Sequence, residues 1–230
     1  MIMTEGEETD IEPAVLEINE IYKNYRRKEV LQGVSLQIEP GNCVGIVGGN
    51  GSGKTTLLSI LAGALKADSG SLIFGGTDVT RDRSFYSARV AYVPQENPII
   101  EELTVKDNLR LWYKGRIKEP FTMLGLQEVF QMPAGKLSGG MKKRLSIACA
   151  LSNQAPILIL DEPGAALDLA CKADIQEYLK EYRDSGGIVI LTSHEMEELV
   201  LCDQMYVLKQ GKAEKIKTGL SAKELIASWI

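Results

Sequence analysis

The sequence lacks any apolar run long enough to cross a bilayer. A membrane-spanning helix needs on the order of 20 nearly uninterrupted apolar residues, whereas the longest runs here, residues 157–160 and 188–191, are short and flanked by polar residues or glycines. The first ten residues hold neither a basic nor an apolar segment, so we expect no secretory signal. With 44% hydrophobic and 25% charged residues among 230, the composition is that of an ordinary globular protein in the cytosol.

The chain also lacks a surplus of basic residues. It carries 26 Lys and Arg against 31 Asp and Glu, a formal net charge of -5, and five of the acids precede Pro13. The rest of the chain is therefore neutral, and without a basic surplus we expect no nucleic-acid partner. We expect residues 1–13 to be a disordered acidic leader and residues 14–230 to form a single domain.

Cysteine and histidine are scarce. The only histidine is His194, and no two cysteines form a C-x-x-C pair. This pattern predicts neither a zinc site nor a disulfide framework, so we expect reduced and mostly buried thiols. The four cysteines are Cys43, Cys149, Cys171 and Cys202.

Hydrophobic periodicity in the first hundred residues predicts strands. Residues 34–38 alternate with period two, and residues 43–47, 71–74 and 90–93 are short apolar runs. The turn signal Gly75–Gly76 follows residues 71–74. These segments predict a β-rich N-terminal part.

Later in the chain, the pattern changes to that of an α/β protein. Residues 156–160 and 188–192 are continuous Ile, Leu and Val runs, typical of strands buried on both faces of a parallel sheet. Residues 169–184 between them have helical spacing, which predicts a βαβ unit. Residues 101–150 predict a mainly helical insertion. A capping box at residues 221–224 predicts a short final helix.

Residues 48–55 read GGNGSGKT and fit the phosphate-loop pattern G-x-x-x-x-G-K-[ST] between a predicted strand and an apolar helix. Glycines let backbone amides surround phosphate oxygens, and the helix N-terminus adds partial positive charge. Lys54 is expected to reach the β- and γ-phosphates, and the Thr55 hydroxyl to bind Mg²⁺. The loop alone does not distinguish kinases, GTPases and ATPases. The candidate nucleotide-binding residues are Gly48, Gly49, Asn50, Gly51, Ser52, Gly53, Lys54, Thr55 and Thr56.

Two carboxylates end the predicted strand at residues 157–160. Asp161 and Glu162 are therefore expected at the carboxyl edge of the sheet, where α/β proteins bind ligands. Asp161 suits a role with Mg²⁺, and Glu162 suits polarising an attacking water. Such a pair is often only a helix cap, but the phosphate loop favours the catalytic interpretation.

Residues 137–141, LSGGM, resemble the LSGGQ signature of ATP-binding cassette (ABC) proteins, and the chain resembles the nucleotide-binding subunit of an ABC transporter. The resemblance implies a P-loop NTPase (RecA-like) α/β core with an antiparallel β subdomain. It also implies a helical subdomain, about residues 96–150, inserted between the Q-loop and the signature. Ser138, Gly139 and Gly140 would bind the γ-phosphate held by an opposite subunit, which implies a head-to-tail dimer.

Other family positions follow in the family's order. Gln95 resembles the Q-loop glutamine that touches Mg²⁺ and the attacking water, and His194 resembles the switch histidine at the γ-phosphate. Asp168 resembles the end of the D-loop, which communicates across the dimer. Tyr25 resembles the aromatic residue that stacks on adenine, although it could be an ordinary strand tyrosine. A lone histidine is more often a surface or core residue, but His194 follows a buried strand.

Two family positions differ here. Met141 replaces the usual signature glutamine, which removes a polar contact expected near the ribose. Ala165 replaces the usual D-loop serine, which puts the coupling across a dimer in doubt. The signature continues as LSGGMKKR, which, with residues 102–109, resembles the exporter branch of the family.

The resemblance implies an enzyme that binds and hydrolyses Mg-ATP to drive transport, in the direction of export. Its partners would be an integral membrane permease and a second ATPase subunit in a homodimer or heterodimer. It would be peripheral on the inner face of the cell membrane. Two alternatives remain: a soluble ABC-type ATPase in iron–sulfur assembly or cell division, and an ATP-gated module without hydrolysis. The transported substrate is open.

Overall fold

A computed structural model describes residues 14–26, 28–112, 124–151, 155–165 and 167–229. The predicted acidic leader lies outside the described residues, as does part of the predicted helical insertion, residues 113–123. No helix in the described ranges is both long enough and apolar enough to span a bilayer. All four cysteines are buried free thiols, as expected.

The described residues contain ten strands and seven α-helices. The strands are β1 (Leu16–Tyr25), β2 (Lys28–Ile38), β3 (Cys43–Val47), β4 (Ser69–Phe74), β5 (Thr77–Asp78), β6 (Val90–Val93), β7 (Ile157–Asp161), β8 (Ile188–Thr192), β9 (Gln204–Lys209) and β10 (Lys212–Ile216). The helices are α1 (Lys54–Leu61), α2 (Arg83–Ser87), α3 (Val105–Trp112), α4 (Gly139–Ala150), α5 (Leu169–Asp184), α6 (Met196–Leu199) and α7 (Ala222–Trp229).

The strands form two sheets. One is antiparallel, in the order β2-β1-β4-β5, and the other has the order β10-β9-β3-β8-β7-β6. In the second sheet every pair is parallel except β9 with β10. The predicted fold class, a P-loop NTPase core with an antiparallel β subdomain, is confirmed. The predicted β-rich N-terminal part is divided, because β3 and β6 belong to the parallel sheet.

The parallel sheet is covered on both faces. Alternate residues of β7 point to opposite sides: Ile157 and Ile159 pack with α1 and the antiparallel sheet, whereas Leu158 and Leu160 pack with α4 and α5. Burial on both faces explains the continuous apolar runs in β7 and β8.

Strand direction determines where the site lies. Because β3, β6, β7 and β8 are parallel, their carboxyl ends meet at one edge of the sheet. The phosphate loop follows β3, Gln95 follows β6, Glu162 follows β7 and His194 follows β8. Four segments that are far apart in sequence therefore converge at this edge. The predicted helical insertion contributes α3, α4 and a 3-10 helix at Ala134–Lys136.

Candidate functional site

The phosphate loop connects β3 to α1 through backbone that only glycine adopts readily. Gly48, Gly51 and Gly53 have φ values of 152°, 75° and 106°. A Cβ on Gly48 would also lie 2.5 Å from the carbonyl oxygen of Leu208 on β9. Gly53 is the N-cap of α1 and has no side chain, so the first-turn amides remain available to an anion.

Lys54 is buried and folded over its own loop. Its ammonium donates to the carbonyl oxygens of Gly48 at 2.8 Å and Gly49 at 3.3 Å. Burial lowers the pKa of Lys54, and the nearby carboxylates of Glu162 and Asp161 oppose that shift. Phosphate oxygens would provide this cation with stronger acceptors than two neutral carbonyl groups.

Glu162 joins the two other residues predicted to be catalytic. The Gln95 side-chain amide donates to Glu162 Oε2 at 3.1 Å, and His194 Nε2 lies 3.3 Å from Glu162 Oε1. The backbone of Glu162 has φ 49°, a conformation that is uncommon for residues other than glycine and occurs often at functional sites. Its N–H donates to the carbonyl and hydroxyl oxygens of Thr192, each at 3.1 Å, which holds this backbone in place.

Asp161 lies behind Glu162, with only 2% of its surface exposed. Its Oδ1 accepts a hydrogen bond from the Thr192 hydroxyl at 2.6 Å. Its Oδ2 is buried and has no hydrogen-bond partner among the described residues. A buried carboxylate oxygen requires compensation, and oxygen atoms from Asp161, Thr55 and Gln95 are the hard ligands that Mg²⁺ prefers. The residues present therefore fit a Mg²⁺ ion.

These segments line a cavity of about 780 Å³, a size suited to a ligand as large as a nucleotide. Its lining includes residues 50–56 of the phosphate loop, the three predicted catalytic residues Gln95, Glu162 and His194, and the half-exposed Tyr25. Lys28 and Val30 on β2 also line it. Neither is a predicted site residue, although Lys28 follows Tyr25 by only three residues.

The signature residues lie elsewhere in this chain. Ser138 caps α4 by accepting a hydrogen bond from the Met141 N–H at 3.2 Å, and Gly139 and Gly140 form the first turn of α4. Asp168 caps α5 by accepting from the Cys171 N–H at 2.8 Å. None of the four predicted residues, including Asp168, lines the cavity.

The beginnings of α4 and α5 are packed together. The Cys171 thiol lies 3.8 Å from the carbonyl oxygen of Gly140, and Arg144 forms a 2.6 Å ion pair with Asp174. The signature and the helix that follows the predicted D-loop therefore pack against each other.

Lys143 on α4 connects the signature helix to the Q-loop. The residue is 3% exposed, and its ammonium donates to the carbonyl oxygens of Pro94 at 3.1 Å and Gln95 at 3.2 Å. Burial lowers its pKa, against the raising effect of Asp161, Glu198 and Glu162. No sequence pattern predicts this contact of Lys143, which lies two residues after the signature LSGGM.

Glu198 on α6 is a second buried charge near the site. Its carboxylate accepts hydrogen bonds from the Ser193 hydroxyl and the Gly164 N–H. Burial nevertheless raises the pKa of Glu198. A Cβ on Gly164 would clash with Glu198 Oε1. This carboxylate therefore ties the segment after Glu162 to the segment that carries His194.

The chain is similar to a known family and to several named proteins. A family model described as "ABC transporter" matches residues 31–165, more than half of the chain. The linearmycin resistance ATP-binding protein LnrL of Bacillus subtilis is 33% identical over 215 residues, which cover 89% of this chain and 69% of that protein. The Nod factor export ATP-binding protein I of Paraburkholderia xenovorans is 33% identical over 225 residues, covering 92% and 74%. The sulfate/thiosulfate import ATP-binding protein CysA of Xanthomonas campestris is 32% identical over 219 residues, covering 88% and 64%.

Solved structures share the same architecture. One is the ATP-binding cassette MJ0796, solved as a dimer in a post-hydrolysis state with ADP and Pi. Its TM-score is 0.80 at 25% identity, and the match covers 90% of this chain and 99% of the MJ0796 chain. A structure described as the ATP-binding subunit of an ABC transporter has a TM-score of 0.82 at 25% identity, covering 94% and 99%.

Proposed function

This chain belongs to the ABC transporter family of ATP-binding proteins, and from that premise we propose how its residues bind and hydrolyse Mg-ATP. It is the ATP-binding subunit of an ABC transporter and an ATPase. One observation carries the proposal for the catalytic residues: both carboxylate oxygens of Glu162 are held, one by Gln95 and the other by His194, at the mouth of the phosphate loop.

The phosphates bind first to groups that are already in place. The β- and γ-phosphate oxygens are surrounded by the loop amides of residues 48–53, the first turn of α1 and the Lys54 ammonium. Lys54 gives up its hydrogen bonds to two loop carbonyl groups and donates to phosphate oxygens instead. Thr55, Gln95 and Asp161 would hold Mg²⁺. When bound there, Mg²⁺ would neutralise negative charge on the phosphate oxygens. Tyr25 offers its exposed ring to adenine.

Hydrolysis then depends on a correctly oriented water. Glu162 accepts a hydrogen bond from that water and aligns it for in-line attack on the γ-phosphorus, while Gln95 holds the carboxylate. His194 lies on the other side of Glu162 and contacts the γ-phosphate. Lys54 and the loop amides stabilise the negative charge that develops on the transferred phosphoryl oxygens.

We propose a head-to-tail dimer in which each ATP lies between two subunits. Ser138, Gly139 and Gly140 start a helix outside the cavity, so their amides can serve the γ-phosphate of a partner only across an interface. Asp168 lies beside them, where it would communicate between the two sites. The dimer closes on ATP and relaxes once the γ-phosphate has left. A homodimer would have two complete sites.

We further propose that the dimer drives an integral membrane permease in the direction of export, and that the chain is peripheral on the cytoplasmic face of the membrane. The LSGGMKKR form of the signature supports export, as do relatives named for Nod factor export. Co-purification tests this: a polytopic membrane protein is expected, and a soluble scaffold protein as the stable partner would refute it.

Glu162→Gln tests the assignment of the catalytic carboxylate. The amide still accepts the Gln95 hydrogen bond but is a poor base, so turnover should fall about 10²- to 10⁴-fold, while ATP binding is retained and a dimer is trapped. The matched control is Glu197→Gln, the same change on an exposed residue of α6, which should keep wild-type turnover. Undiminished turnover in Glu162→Gln would overturn the assignment.

A further inference from the structure

The final helix, α7, is held firmly against the protein. Its start is a capping box in which Glu224 accepts from the Ser221 N–H at 2.8 Å and the Glu224 N–H donates to the Ser221 hydroxyl at 3.4 Å. Four residues after Ser221, Leu225 is 2% exposed and belongs to the same buried core as Met205 and Val207 of β9. Residues four apart lie on the same helix face, so Trp229 is directed to the same side as Leu225.

Trp229 lies against the only histidine of the chain. The indole and the His194 imidazole have ring centroids 5.5 Å apart and an interplanar angle of 74°, an edge-to-face arrangement. His194 Nε2 lies 3.3 Å from Glu162 Oε1. The imidazole is therefore held between the carboxylate of Glu162 and the indole of Trp229.

The indole of Trp229 carries a polar group that is buried without a hydrogen bond to any described residue. Its Nε1–H is buried and has no hydrogen-bond partner among the described residues, and an unsatisfied buried donor is destabilising. Phenylalanine would fill much of the same space without that donor. Trp229 does not line the nucleotide cavity, whereas His194 does. His194 is therefore the cavity-lining residue through which Trp229 can influence ATP.

We infer that Trp229 is a positioning residue that fixes the orientation of the His194 imidazole toward the γ-phosphate. The inference rests on the proposed role of His194. An edge-to-face ring contact changes the population of one ring orientation about 2- to 12-fold. Loss of the contact should lower kcat by a factor in this range and leave KM for ATP unchanged, because the phosphate loop and Tyr25 are untouched.

The test compares Trp229→Ala and Trp229→Phe with Ile226→Ala in the purified full chain. Ile226 lies on the same helix but is half exposed, so it controls for changes in α7 alone. Because the chain contains one histidine, its imidazole C2–H signal in the proton NMR spectrum reports on His194 alone. We expect Trp229→Ala to move this signal and to lower kcat about 2- to 12-fold. Trp229→Phe should restore most of kcat, and Ile226→Ala should match wild type in both readouts.

Three outcomes would overturn the inference. They are wild-type kcat in Trp229→Ala, a loss of kcat without movement of the His194 signal, and an equal loss in Ile226→Ala. If Trp229→Ala does not fold, Trp229→Phe decides: its His194 signal must move, and an unmoved signal refutes the contact. A parallel His194→Ala variant separates this inference from the proposed function. Wild-type turnover in His194→Ala would refute the role of His194 itself, whereas lost turnover there with unaffected Trp229 variants would refute only the role of Trp229.

Discussion

Replacing Thr192 with valine removes one hydroxyl group from the buried end of β8 and keeps the shape of the side chain. That hydroxyl donates to Asp161 Oδ1 at 2.6 Å and accepts from the Glu162 N–H at 3.1 Å. A hydrogen bond to a charged group contributes about 1.5–3 kcal/mol. In a domain of this size each kcal/mol corresponds to roughly 2–4 °C, so Thr192→Val should lower Tm by about 3–12 °C.

Thermal unfolding followed by circular dichroism measures this effect, and Thr192→Ser is the matched control. Serine keeps the hydroxyl and loses one methyl group, which costs about 1 kcal/mol. The hydroxyl also orients Asp161, so Thr192→Val should require more Mg²⁺ for half-maximal ATPase activity, whereas Thr192→Ser should not. If Thr192→Val is as stable as wild type, or more stable than Thr192→Ser, this account of the Asp161 carboxylate is wrong.

Two further variants test other parts of the site. Because burial raises the pKa of Glu198, ionisation of this carboxyl destabilises the native state as the pH rises through that pKa. Glu198→Gln should therefore raise Tm at pH 7.5, and the difference in Tm from wild type should disappear as the pH falls toward 4.5. A Tm below that of wild type at pH 7.5 would contradict this. Tyr25→Ala should weaken ATP binding about 5- to 150-fold, the worth of one base–aromatic stack, whereas Tyr25→Phe should not; equal affinities in equilibrium binding would remove Tyr25 from the adenine site.

Sequence patterns predicted those parts of the fold where local chemistry and tertiary structure agree. Helix α5 and strands β3, β6 and β8 have the predicted bounds, because each is a simple periodic or fully apolar run. Strand β1 was missed. Its buried residues Leu16, Ile18 and Ile21 break the period of two, since the register shifts between Ile18 and Ile21 and Glu20 has φ 51°. A bulge of this kind hides a strand from a search for alternation.

The site likewise contains residues that sequence patterns predict and residues that they do not. The phosphate loop, Gln95, Glu162 and His194 carry motifs, and the structure brings them together in one cavity. Thr192 and Trp229 carry none, and the motif that contains Lys143 assigns this residue no contact. Their roles arise from contacts with residues 30 to 49 positions away, such as Thr192 with Glu162 and Lys143 with Pro94. These contacts are created only when the chain folds.

The Lys143 ammonium joins two segments that, in the proposed dimer, serve different ATP molecules. Gln95 faces the nucleotide of its own subunit, whereas the signature helix faces that of the partner. The acceptors of Lys143 are backbone carbonyl groups, which every amino acid possesses. Substitutions in the Q-loop during evolution can therefore alter the chemistry of one site without disconnecting it from the other.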